Sequence, residues 1–143
     1  MSKLSFLFYQ VEKLTNTLNK KERLNSKKSI ELLFSGHAST LIAFPLRMIY
    51  KVVDKKEGEA AVSILISVPK KKFKRAVKRN YIKRQVREAY RCNKHSLVEL
   101  MISKNQRLLI AFIFLDNKLY DISVIEKSIT TLLNKFIVKN ESE

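Results

Sequence analysis

The residues of this chain best equipped for chemistry are cations. Between Pro69 and Lys94 stand Lys70, Lys71, Lys72, Lys74, Arg75, Lys78, Arg79, Lys83, Arg84, Arg87, Arg91 and Lys94, against one acid, Glu88. Such a density repels itself unless a polyanion neutralises it, which marks the stretch as a nucleic-acid surface. Its spacing is helical. At about 100° per residue, Ile82, Val86, Ala89, Tyr90 and Leu97 fall on one side. Asn80, Lys83, Arg84, Arg87, Arg91 and Lys94 fall within a neighbouring arc roughly 100° wide. One face can pack on a core while the next offers guanidinium forks and a side-chain amide to phosphates, riboses or base edges. Arg79 lies beside the apolar edge in the first turn, where a long side chain can still reach round.

Bond-breaking chemistry has no comparable support. The 13 acids are scattered, Cys92 is the only cysteine, and His37 and His95 lack ligand spacing. No group pairs with a base as a nucleophile would, and no carboxylate cluster is placed to hold two metal ions. The expectation is a binding protein with no catalytic residue and no metal site of its own.

The spacing carries a more specific resemblance. Ser67-Val68-Pro69-Lys70-Lys71 is followed by Ala76-Val77-Lys78-Arg79-Asn80-Tyr81-Ile82-Lys83-Arg84-Gln85-Val86-Arg87-Glu88-Ala89-Tyr90. Arg79-Asn80, then Lys83-Arg84, then Arg87-Glu88, after a strand ending Val-x-Lys-Lys, resembles the signature of the bacterial ribonuclease P protein subunit. The resemblance extends more thinly from Lys21 to Lys139. It implies that Arg79, Asn80, Lys83, Arg84 and Arg87 contact a catalytic RNA subunit, with Lys70, Lys71, Lys74, Lys78 and Arg91 adding cationic contacts. It implies Mg²⁺ bound mainly by that RNA, and precursor tRNA as the substrate whose 5′ leader is removed. It also implies a cleft in which aromatic side chains contact the leader. Phe34 keeps an aromatic at one such position, Ile30 stands where the family often has Phe, and Tyr50 or Arg47 on a neighbouring strand is a further leader-facing candidate. Ile30 and Phe34 read equally well as core residues.

The elements that must position these groups follow from the pattern. Ser26 to Phe34 is a short helix capped by Asn25 or Ser26, with Ile30, Leu33 and Phe34 on one face and Gly36 at its end. Leu46 to Val53 alternates as a half-covered strand. Ala60 to Val68 is nearly continuously apolar and reads as a central, buried strand, with Asp54 to Glu59 as a hairpin connection. A basic loop, Lys70 to Arg75, opens a helix running from Ala76 to Ile102. Arg107 to Leu115 is another buried strand. Asp121 or Ser123 caps a last helix, with Ser123-x-x-Glu126 as a capping box and Ile122, Ile125, Ile129, Leu132, Leu133 and Phe136 as its apolar stripe.

With 143 residues, the chain accommodates one domain with a proper core. The expected organisation is an extension over residues 1–20, a domain over 21–139 and a polar, frayed tail over 140–143. The fold class is α+β, in the order helix, strands, helix, strand, helix. The resemblance implies an α-β sandwich like the second domain of ribosomal protein S5, with a left-handed β-α-β crossover. The net charge of +16 favours a polyanion. An anionic membrane is a poorer fit, since the basic helix lacks Trp and its apolar side suits a core. The longest apolar runs, such as Leu108 to Leu115, are too short to span a bilayer, and a cytoplasmic location is expected. A ribosomal or other structured-RNA-binding protein would share the charge and the fold. A DNA-binding regulator would need a helix-turn-helix pattern that is missing here, so DNA is not an expected partner.

Overall fold

The run RLLIAFIF is apolar on both faces, and it becomes the strand on which the sheet is built. The computed structural model describes residues 18–141. In order they form a 3-10 turn (Lys20–Glu22), α1 (Lys27–Leu33), β1 (Ser39–Ala43), β2 (Leu46–Asp54), β3 (Val62–Ser67), α2 (Ala76–Asn93), α3 (His95–Ser103), β4 (Gln106–Phe114) and α4 (Ile122–Glu141). The four strands lie in the order β1-β2-β4-β3. β4 pairs antiparallel with β2, Tyr50 opposite Ile110, and parallel with β3, Ile64 opposite Ile110.

This order corrects two expectations. β2 and β3 are not a hairpin: the charged connection after Asp54 carries the chain past β4, which inserts between them. β3 is therefore an edge strand rather than a central one. It reads as buried because its outer edge is covered by irregular backbone. The Leu24 amide donates to the Ile64 carbonyl at 2.7 Å, Arg23 bridges Ile64, and the Ser63 hydroxyl donates to the Lys21 carbonyl at 2.8 Å. A continuous apolar run reports burial, whatever the covering element. The partner that β2 does take in a hairpin is β1, through the two-residue turn Phe44–Pro45, whose peptide is cis. Ser39–Ala43 is a strand beyond those expected: its residues are at most half-buried, and Leu41, Ile42 and Ala43 in a row give no alternation of apolar with polar residues.

Each face of the sheet has its own cover. Leu46, Met48 and Tyr50 of β2, Val62 and Ile64 of β3, and Leu108, Ile110, Phe112 and Phe114 of β4 pack against Ile82, Val86, Ala89 and Tyr90 of α2, Leu97, Val98 and Met101 of α3, and the α4 stripe. On the other face, α1 lays Leu33 and Ile30 over Leu109, Ala111, Ile49 and Leu65. The register that separates these sets is the period of two along each strand.

The long basic helix is two helices. It stops at Asn93 and resumes at His95, and Leu97 belongs to the second piece. The joint, Lys94, is fully buried, and its Nζ lies 2.7 Å from Glu22 Oε1. Lys94 therefore leaves the cationic arc, because a buried carboxylate from a distant part of the chain claims it. The second Glu22 oxygen accepts from the Asn19 amide at 2.6 Å, so this pair pins the entry of the domain to the α2–α3 joint. The Tyr90 hydroxyl is buried nearby. Burial first, and then the Glu22 charge, pushes its pKa well above the ordinary phenol range, so it stays neutral.

α4 starts at Ile122, so Ser123 is inside it, and the Ser123 hydroxyl donates to Asp121 rather than completing a capping box with Glu126. At the other end the helix continues to Glu141. Asn140 is held by its own amide donating to the Phe136 carbonyl and by Lys104 donating to its carbonyl, so the expected fraying at residue 140 does not occur. Leu18 packs on the main core, so the ordered domain begins before Lys21. The remainder of the expected N-terminal extension lies outside the described residues.

Candidate nucleic-acid interface

The helical phase read for α2 is the phase it adopts. Ile82, Val86, Ala89 and Tyr90 are buried, together with Gln85, and this leaves the opposite side to solvent. Lys78, Asn80 and Arg84 are exposed, and Lys83, Arg87 and Arg91 are half-exposed on the flank of the helix. Among the described residues, the side chains of Asn80, Lys83, Arg84 and Arg87 take part in no hydrogen bond or ion pair. A cationic surface without internal partners is electrostatically unsatisfied in the free protein, which is the condition for counterion release on binding a polyanion.

Two of the cations have structural duties. Arg79 reaches back from the first turn of α2, and one guanidinium nitrogen donates to the carbonyls of Phe73 and Lys74 at 2.7 and 2.8 Å. It thereby holds the basic loop, with exposed Lys70, Lys71 and Lys74, against the start of the helix. Phe73 is the anchor of that loop, buried against Phe114 with ring centroids 6.0 Å apart. Arg91 grips Glu88 with two nitrogens, at 2.5 and 3.1 Å. That hydrogen bond holds the Glu88 carboxyl below its ordinary pKa, and it also neutralises the one acid in the stretch.

The aromatic candidates separate. Phe34, the residue that ends α1, is 48% exposed and so is not core, whereas Leu33 beside it is buried. Ile30 is half-buried and packs on the sheet. Tyr50 lies on the opposite face, only 5% exposed, with its ring edge-on to Phe136 at 5.1 Å and its hydroxyl accepting from Lys139. A ring so covered offers no face for stacking, which corrects its selection as a leader contact. The reason is register: Arg47 and Ile49 share the α1 face of β2, and Tyr50 points to the other. Arg47 is exposed on that face opposite Ile113, and Ile42, opposite Arg47 on β1, is exposed as well. Arg47 and Ile42 thus form an exposed cationic and apolar pair on that face of the sheet. No sequence signal separated Tyr50 from Arg47, because the alternating strand fits either phase. Among the described residues, no three of His, Cys, Asp and Glu come together as a metal site, and no helix is long and apolar enough to cross a membrane.

A family model described as Ribonuclease P matches residues 18–136. The chain belongs to the ribonuclease P protein family. A ribonuclease P protein component from Porphyromonas gingivalis is 40% identical over 111 residues, covering 78% of this chain and 80% of that one. One from Chlorobaculum tepidum is 34% identical over 109 residues, covering 72% and 70%. Among solved structures, the ribonuclease P protein from Thermotoga maritima superposes with a TM-score of 0.60 at 22% identity, covering 80% of this chain and 96% of that one. The Staphylococcus aureus ribonuclease P protein gives 0.59 at 22% identity, covering 83% and 98%. At that identity the likeness is one of fold. The mixed sheet with helices on both faces is thus the fold of ribonuclease P proteins.

Proposed function

We propose that this chain is the protein subunit of a ribonuclease P ribonucleoprotein, binding the catalytic RNA and the 5′ leader of precursor tRNA so that the leader is removed. The observation that carries the reading is the outward arc of α2, in which Asn80, Lys83, Arg84 and Arg87 keep the family's spacing and have no partner among the described residues. Arginine forks there suit bidentate phosphate contacts. Lys70, Lys71, Lys74 and Lys78 add charge with less direction, and Arg79 and Arg91 add their charge from positions fixed by their internal bonds. Phe34 offers its exposed ring to an unpaired leader base, a contact worth ~1–3 kcal/mol, and Ile30, one turn earlier, packs on the sheet.

The chemical step belongs to the RNA in this reading. The Mg²⁺ ions are assigned mainly to the RNA subunit, as the family resemblance implies. The protein's cations substitute for part of the divalent screening that RNA–RNA contact requires.

Reconstitution tests this. The protein alone cuts nothing. The cognate RNA subunit alone cleaves precursor tRNA only at high Mg²⁺, and adding the protein brings 5′ cleavage to lower Mg²⁺ with tighter precursor binding. A Lys83→Ala/Arg84→Ala/Arg87→Ala variant folds and fails to rescue. Phe34→Ala weakens binding of precursor tRNA more than of mature tRNA. Failure of the folded wild type to rescue, across salt and Mg²⁺, would favour a ribosomal or other structured-RNA role instead.

A further inference from the structure

A second aromatic surface lies at the β1–β2 turn. Phe44, in the β1–β2 turn, is 61% exposed, and its ring stands nearly perpendicular to that of Tyr120 at 6.3 Å. Tyr120 rests on buried Phe114 at 6.1 Å and is fixed by its hydroxyl, which donates to Asp116. The chain of contacts continues to α2. Buried Gln85 donates to the Tyr120 carbonyl at 3.0 Å and to the Tyr81 hydroxyl at 3.4 Å. Tyr81 is 46% exposed, and Val77, one turn earlier on the same flank, is 79% exposed. Exposed Phe44 beside Tyr120, and exposed Tyr81 and Val77 on α2, are thus two aromatic and apolar patches tied together through buried Gln85.

The charge around these patches selects their occupant. Tyr81 has Lys78 three residues before it and Arg84 three after, both exposed, so its ring borders the cationic arc. Of the nearby acids, Glu88 is occupied by Arg91, Asp116 accepts from Tyr120 and feels Lys118 and Lys72, and Asp121, exposed next to Tyr120, accepts from the Ser123 hydroxyl. A second copy of a chain with a net charge of +16 would be repelled from such a surface. Unpaired nucleotides suit it: a base can enter the corner between two perpendicular rings, stacking on one and edge-packing on the other, while its phosphates reach the cations.

We propose that Phe44, Tyr120 and Tyr81 form a contact for unpaired bases of RNA, separate from that of Phe34, with Lys78 and Arg84 holding the adjoining phosphates. The proposal rests on the RNA-binding reading given above and adds a site to it.

The chain has no Trp, so a Phe44→Trp variant of the full chain carries a single local reporter of stacking. Titration with short single-stranded oligoadenylate should quench its emission, and an A·U duplex bound to the same extent by anisotropy should not. The quenching should persist when Phe34→Ala is added. Phe44→Ala and Tyr81→Ala should each weaken oligoadenylate binding by about tenfold with duplex affinity unchanged within about twofold, and Tyr81→Phe should retain most of the binding. Unquenched emission with oligoadenylate bound would overturn the site while leaving the RNA reading intact. So would a self-association, seen by sedimentation, that Phe44→Ala abolishes. Loss of binding to both RNAs by the wild type would overturn the RNA reading, and this contact with it.

Discussion

Arg84 on α2 and Lys94 at the joint that follows it have opposite roles, and substitution should separate them. Arg84 is exposed and has no partner among the described residues. Arg84→Ala should weaken RNA binding and leave stability within about ±0.5 kcal/mol, measured by filter binding and thermal melting of the same preparation. Lys94 is buried against Glu22. Lys94→Ala strands that carboxylate in the interior, so it should cost about 3–5 kcal/mol, read by denaturant unfolding. A smaller loss would mean that water reaches the pair. The Asp116–Tyr120 contact has its own pH signature. The Tyr120 hydroxyl, then the Asn117 amide, lowers the Asp116 pKa from its ordinary value. A lowered folded pKa contributes stability above the ordinary aspartate range, and that stability is lost as pH falls through the folded value. Tyr120→Phe should raise the Asp116 pKa, followed by carboxyl NMR titration, and flatten that part of the acid limb.

At the scale of elements, the α2–α3 joint and the α3–β4 connection position the basic helix against the sheet. α3 ends with the Lys104 and Asn105 amides donating to the Leu100 and Ile102 carbonyls, and Asn105 takes a φ of 51°. That left-handed conformation suits Asn or Gly and penalises a β-branched residue. Asn105→Val should therefore destabilise by about 1–2 kcal/mol, whereas Asn105→Gly should be close to neutral, both by thermal unfolding. Equal losses would place the importance of Asn105 in its side chain rather than its backbone. The break before α3 was not legible in the sequence, because the apolar phase of Ile82, Val86, Ala89 and Tyr90 runs on smoothly to Leu97. At the break, Lys94 pairs with Glu22, 72 residues away in the chain.

The whole molecule has a net charge of +16, concentrated on one helix and the loop before it. If several phosphates are neutralised there, the logarithm of RNA affinity should fall linearly with the logarithm of salt. The slope should be about −0.9 per duplex phosphate contact, and shallower by roughly one contact in Arg84→Ala. A nearly flat dependence in an anisotropy titration would be incompatible with a polyanion surface. Much of this was determined by the sequence alone. The periodicity that buries Ile82 and Val86 is the same periodicity that turns Arg84 outward, and it needs only the local geometry of a helix. The α+β class and the family spacing of Arg79-Asn80, Lys83-Arg84 and Arg87-Glu88 are legible for the same reason. Tertiary structure alone decided which strands are neighbours, why Tyr50 is core while Arg47 is open, and how Phe44 meets Tyr120 and, through Gln85, Tyr81. Those outcomes depend on contacts between residues far apart in the chain. A strand pattern of period two states that one face is covered, but not by what, and only the packed sheet selects the partner.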